Sequence, residues 1–228
     1  MEILPLAELR EQQILQEKNI HPDYVLAAGS LPLRLGLFCR HSHFRPAVYL
    51  KANMSLSDEI RKLLHAKFPQ QYFVGISWYS KGRTKGKYNI DLDDFRLLAD
   101  RRITLINLQY GDVTADIKAF FQKYKIPIYT IDDIDNFVNL PHLFDLIMAM
   151  DEVVSISNST INFASMLGKK SHLIAPRIST WRWGLPPDHI YSWSDFTEIY
   201  FKEKDHSSIK ALQKIANKLK ESAKNKLG

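Results

Sequence analysis

Residues 72–110 read YFVGISWYSKGRTKGKYNIDLDDFRLLADRRITLINLQY, and this stretch decides the fold. YFVGISW (72–78) is a short, nearly unbroken apolar run, the pattern of a strand buried on both faces. LDDFRLLAD (92–100) carries helical spacing, and ITLINLQY (103–110) is a second apolar run. The alternation then continues with a helix over 114–124, a strand IPIYTI (126–131) and a helix over 140–150. A strand EVVSIS (152–157), a helix over 160–167 and a strand SHLIA (171–175) complete it. Five strands separated by four helices predict right-handed crossovers and a doubly wound, mainly parallel α/β sheet covered on both faces. Ligands of such sheets bind beyond the carboxyl ends of the strands. The segments that matter for function are therefore 77–89, 109–114, 131–137, 157–162 and 176–184.

Upstream, residues 4–18 (LPLAELREQQILQEK) read as a helix, and 55–67 as another with Ser57 as its N-cap ahead of Asp58 and Glu59. The segment 20–50 is irregular, punctuated by Pro22, Gly29, Pro32, Gly36 and Pro46. The expected organisation is an N-terminal appendage over 1–71, an α/β domain over 72–201 and a lysine-rich C-terminal helix over 202–228. That last piece holds +5 of the chain's net charge of +6, so the rest is nearly neutral. Ile209, Leu212, Ile215, Ala216 and Leu219 recur within it at helical spacing, which predicts a packed helix with solvated lysines rather than a nucleic-acid arm. Its basic face leaves peripheral contact with an anionic membrane open. No apolar run approaches the roughly 20 residues of a membrane span, and Met1–Pro5 lacks the basic flank of an export signal. The single cysteine, Cys39, excludes an internal disulfide and a cysteine metal cage. A cytoplasmic protein is the expectation.

Two loops carry chemistry. Residues 77–87 combine Ser77, Ser80, Gly82, Thr84 and Gly86 with Lys81, Arg83, Lys85 and Lys87. Such a loop can offer backbone amides and cations to a phosphate, although its spacing matches neither GxxxxGK[ST] nor GxGxxG, so a solvated loop is an equal reading. Ser157-Asn158-Ser159-Thr160-Ile161-Asn162 opens a helix with hydroxyl and amide side chains. Free N–H groups and the helix dipole there favour an anion, while Asn158 or Ser159 can equally be a simple cap. Gln109-Tyr110-Gly111-Asp112 reads as a turn, and Trp181-Arg182-Trp183-Gly184 as a packed cluster or a stacking surface.

In combination these blocks resemble a known family. VGISW (74–78), INLQYGD (106–112), LIMAMDEVVSISNSTINFASMLGKKSHLIAP (146–176) and WRWG (181–184) occur in the order seen in the C-terminal half of GT-B glycosyltransferases. They are most similar to the heptosyltransferase-like (glycosyltransferase family 9) domains behind bacterial tetratricopeptide repeats. DYVLAAGSLP (23–32) and AVYLKAN (47–53) extend the likeness upstream. The resemblance implies a Rossmann-like domain that binds a nucleoside-diphosphate sugar without a metal ion or further cofactor. It implies a donor-binding set of Ser77, Trp78, Lys85, Gln109, Gly111, Asp112, Asn158, Ser159, Thr160, Asn162, Trp181 and Arg182.

Two departures bear on activity. Asn162 stands where the family has histidine, and an amide carries no titratable proton. The 71 residues before Tyr72 show no strand–helix repeat, so the acceptor half is reduced or supplied by a partner chain. No catalytic base is identified; His21, His41, His43, Asp23 and Glu59 qualify only by being titratable. The expected function is metal-independent inverting glycosyl transfer to an acceptor hydroxyl. The alternative is a non-catalytic nucleotide-sugar-binding module working with a partner.

Overall fold

The computed structural model describes residues 48–81, 88–131, 139–177, 183 and 195–228. The chain divides into two compact units, Met1–Phe44 and Arg45–Gly228, and every described residue lies in the second. The expected helix over 4–18 and the loop residues Lys85, Trp181 and Arg182 lie outside the described residues.

Six strands form one sheet: β1 (Tyr72–Ser77), β2 (Ile103–Asn107), β3 (Ile128–Tyr129), β4 (Glu152–Ile156), β5 (Ser171–Ala175) and β6 (Thr197–Phe201). The order is β3-β2-β1-β4-β5-β6, and every pairing is parallel. The chain runs from β1 out to the β3 edge, then returns to place β4 on the other side of β1. Loops leaving the carboxyl ends of β1 and β4 therefore diverge, opening a crevice where the strand order reverses.

The apolar runs form strands because both faces are covered. On one face Val74, Ile76, Leu105, Val154 and Ile174 meet the 3₁₀ helix Leu92–Leu98 and the C-terminal helix. On the other, Phe73, Ile106 and Val153 meet α1 (Met54–Lys67), α3 (Leu140–Ala149) and α4 (Ser159–Met166). α2 (Thr114–Tyr124) adds Phe120 to the first face, and α5 (Ile209–Leu227) adds Leu212, Ile215 and Leu219, each fully buried. Burial of one such aliphatic side chain is worth about 1.5–3 kcal/mol. Gly75 sits where the β1 backbone is closely approached: a Cβ there would lie 2.3 Å from Leu108 Cδ1 and 3.1 Å from Met150 Cγ.

Several local expectations are corrected. α1 begins at Met54 and is capped by Asn53, whose side chain accepts from Ser55 N at 3.1 Å and Leu56 N at 3.4 Å. Ser57 is buried inside the first turn and donates to Asn53 O instead. The helix expected over 92–100 is a 3₁₀ helix confined to Leu92–Leu98, started by Asp91 Oδ1 accepting from Asp93 N at 3.0 Å. β3 is only two residues long, since Pro127 before it has no N–H for the ladder. The sixth strand, TEIYF, was not expected, and it pushes the start of the last helix from 202 to Ile209. Ile209 is half-buried, whereas Leu212, Ile215, Ala216 and Leu219 pack as the spacing predicts.

At the amino ends of the strands, charge is buried and compensated. Glu152 of β4 is fully buried; it accepts from Tyr72 OH at 2.6 Å and Lys170 Nζ at 2.9 Å and meets His172 Nε2 at 2.5 Å. Burial alone would raise its carboxyl pKa, but the bonds from His172, Tyr72 and Lys170 win and hold it at about 2. Glu198 of β6 approaches His172 Nδ1 at 3.7 Å and pairs with Lys218 of α5. Lys170 also donates to Ser222, so the cluster clamps α5 to the sheet.

Candidate functional site

At their carboxyl ends the buried strands terminate in neutral polar side chains. Ser77, at the end of β1, is fully buried and lies in register with Ser155 of β4; Asn107 of β2 is in register with Ile76. Cut off from water, such groups must bond to one another. Asn158 Nδ2 donates to Ser77 Oγ at 2.7 Å, and the Ser77 hydroxyl donates to Gln109 Oε1 at 2.9 Å. That same oxygen accepts the backbone amides of Trp78 and Tyr79, each at 3.0 Å. Ser155 Oγ donates to Asn158 Oδ1 at 3.0 Å, Gln109 N to Asn107 Oδ1 at 2.9 Å, and Asn107 Nδ2 to Thr130 Oγ1 at 3.3 Å. The result is an uncharged seam across the carboxyl ends of β4, β1 and β2, reaching Thr130 just beyond β3.

The seam ends on a helix. Asn158 is the N-cap of α4, its Oδ1 accepting from Ile161 N at 3.3 Å. Asn162 Nδ2 donates back to Asn158 O at 2.7 Å. Ser159 is exposed in the first turn, and Thr160 beside it is 2% exposed. The first-turn amides and the positive end of the helix dipole thus sit next to the end of β1 through the Ser77–Asn158 bond.

The cationic loop after β1 leaves and returns on a fixed stalk. Ser80 N donates to Asn89 Oδ1 at 2.9 Å, Ile90 N to Trp78 O at 2.9 Å, and Lys81 N to Tyr110 OH at 2.7 Å. Lys202, from the turn after β6, is buried and donates to Asn89 O at 2.6 Å; burial lowers its pKa, with partial offset from Asp94. The spacing had placed Lys202 at the start of a solvated helix. Tyr79 and Tyr110 contact each other at 5.6 Å between ring centroids. Gly111 takes φ 81°, the left-handed region that favours glycine, to turn the chain into α2. Asp112 is fully exposed, and hydrogen bonds from the Thr114 backbone and side chain lower its pKa.

The residues singled out by sequence thus fall into distinct positions. Ser77, Gln109 and Asn158 come together but direct their side chains at one another. Ser159, Thr160 and Asn162 line up on the first turn of α4 beside them. Trp78 is 4% exposed and belongs to the core. Gly111 and Asp112 form the turn into α2. The described tryptophan of the WRWG block, Trp183, is buried and donates from Nε1 to Ser157 Oγ at 2.7 Å, so it is a packing residue. Asn107, Ser155 and Thr130 were not anticipated; the signal was a polar residue near the carboxyl end of an otherwise apolar run. Among the described residues, no group of three or more His, Cys, Asp and Glu side chains is gathered as a metal cage. Nor is any helix there long and apolar enough to cross a membrane.

No protein-family model and no curated protein matches the sequence. Solved structures do match. The glycosyl transferase family 9 structure from Veillonella parvula DSM 2008 superposes with a TM-score of 0.55 at 6% identity, over 75% of this chain and 53% of that one. The E. coli ADP-heptose lps heptosyltransferase II does so with a TM-score of 0.51 at 11% identity, over 78% and 54%. This chain spans about half the length of the structures it matches, and the likeness is one of fold. That fold, a six-stranded all-parallel sheet with its order reversing between β1 and β4, is the fold of the C-terminal half of a GT-B glycosyltransferase.

Proposed function

We propose that the unit Arg45–Gly228 binds the diphosphate of a nucleoside-diphosphate sugar where the carboxyl ends of β1 and β4 part. The observation that carries this reading is the 2.7 Å bond from Asn158 to Ser77, which holds the first turn of α4 against the root of the cationic loop. The diphosphate would take the amides of Ser159 and Thr160 and the Ser159 and Thr160 hydroxyls, with Lys81 and Lys85 supplying positive charge. Ser77, Gln109 and Asn158 act one step back, holding those groups in place. The seam itself carries no charged side chain, so an incoming anion meets dipoles already oriented there.

On this reading the chain takes part in metal-independent, inverting sugar transfer. The acceptor oxygen forms a bond to the anomeric carbon as the bond to the diphosphate breaks, and the leaving diphosphate gains charge that the α4 dipole and lysines stabilise. A base must take the acceptor's proton. Asn162 cannot, so the base is a different residue, of this chain or of a partner chain. A cytoplasmic setting, supported by the lone Cys39, goes with this reading. A second reading, a nucleotide-sugar-binding module without chemistry of its own, is favoured by Asn162, whose amide is committed to the Asn158 carbonyl.

Thermal-shift titration with UDP, GDP, ADP and CDP tests the donor site. At 100 times its dissociation constant, the matching nucleotide stabilises by about 2.7 kcal/mol. Thr160→Ala is expected to abolish the shift while leaving the unliganded melting temperature in place. Absence of a shift with all four nucleotides would overturn the reading.

A further inference from the structure

Lys202 follows the last residue of β6, three strands away from β1 in the sheet, and is 4% exposed. Its backbone N–H donates to Ala175 O at 2.9 Å, which fixes its main chain to the end of β5. Its ammonium donates to Asn89 O at 2.6 Å, on the return leg of the cationic loop. Asn89 is a junction. Its side-chain oxygen accepts Ser80 N at 2.9 Å from the outgoing leg, and the next residue, Ile90, donates to Trp78 O at 2.9 Å. One lysine thus bears on both legs of the loop that carries Lys81.

The turn after β6 grips the same segment a second time. Ser208, the N-cap residue of α5, makes no side-chain cap bond; its buried hydroxyl donates instead to Asp94 Oδ2 at 2.6 Å. The two ends of the turn 202–208 therefore hold the two ends of the segment 89–94. A buried ammonium is a poor filler of space, since taking it out of water costs stability and a methionine of similar length would pack without that cost. What methionine cannot do is hold a carbonyl. We infer that Lys202 is a positioning residue for the diphosphate site: by holding Asn89 it sets both legs of the loop, and so the direction from which the loop's cations reach the ligand. The inference rests on the donor reading above. It gives a part in that site to a residue that lies outside every block carrying the family resemblance, at the far side of the sheet from β3.

Amide hydrogen exchange and isothermal titration with UDP, GDP, ADP and CDP, both on the full chain, test the inference in separate arms. Without nucleotide, Lys202→Met is expected to speed exchange at Ser80 and Ile90 by at least about tenfold, with Val154 in β4 unchanged. The nucleotide that binds wild type should bind this variant at least about tenfold more weakly. Lys204→Met, exposed in the same turn, should stay within about twofold of wild type in both arms. Asn89→Ala cuts the link from Asn89 to Ser80 with Lys202 left in place, and it too should lower affinity. The double variant should lose no more than the larger single loss, a coupling that general loosening of the fold would not give. Circular dichroism verifies that each variant folds; if Lys202→Met does not, Asn89→Ala alone decides. Unchanged exchange, or faster exchange with unchanged affinity, overturns the inference, as do additive losses or wild-type affinity in Asn89→Ala. If wild type binds none of the four nucleotides, the donor reading falls and takes this inference with it. A Lys202→Met variant that binds as well as wild type leaves that reading standing and removes this inference alone.

Discussion

The two ends of one sheet are built from different chemistry. At the carboxyl ends Ser77, Asn107, Gln109, Ser155 and Asn158 bond to one another as neutral dipoles. At the amino ends the fully buried Glu152 and His172 meet each other, with the exposed Lys170 and Glu198 closing on them from the surface. Compensated charges fix strand to strand and α5 to the sheet, but leave nothing over for a ligand. A neutral seam places no charge of its own against the neighbouring end of the α4 dipole, which is the state the proposed anion site requires. The contrast teaches that the charged cluster acts in holding the fold together, while the uncharged seam is where the proposed donor site would lie.

Four substitutions would break or sharpen that contrast, in order of decreasing effect. Glu152→Ala leaves His172 and Lys170 without their buried partner and should cost about 3–5 kcal/mol in urea unfolding, with nucleotide affinity unchanged in whatever protein stays folded. The same carboxylate sets a pH dependence. Its folded pKa, about 2, lies below its ordinary value of 4.5, so its stabilisation is full above the ordinary carboxylate range and is lost as pH falls toward 2. Wild-type stability should fall across that window, and Glu152→Gln should flatten the fall. Gly75→Ala forces a methyl group against Leu108 and Met150 and should cost about 1–3 kcal/mol. Asn158→Ala removes the α4 cap and the partner of Ser77. It should cost about 1–2 kcal/mol and, unlike the first two, also weaken nucleotide binding, as isothermal titration would show. Lys210→Ala removes an exposed ion pair with Glu203 and should leave the urea midpoint unchanged.

The architecture was legible because parallel strands buried on both faces announce themselves as apolar runs, and five of the six did so. β6 escaped because it adjoins the lysine-rich tail, although Thr197, Ile199, Tyr200 and Phe201 have strand character. The cap of α1 went to Asn53 rather than Ser57 because a tertiary bond decided it: Asn53 N donates to Asp145 Oδ1 at 2.6 Å, from 92 residues away. At the site, sequence marked Ser77, Gln109 and Asn158 by type and order. It could not show that the three bond to one another, since that depends on the β1–β4 register. Lys202 was invisible for the same reason: only the fold brings it to Asn89.

The most direct measurement is the backbone amide spectrum of ¹⁵N-labelled protein during titration with whichever nucleoside diphosphate binds, and with pyrophosphate. Diphosphate seated at the α4 first turn should shift Ser159, Thr160 and Ile161 most, together with Lys81, while His172 and Glu198 stay in place. Shifts centred on the amino ends of the strands, or none at Ser159 and Thr160 under saturating ligand, would contradict it.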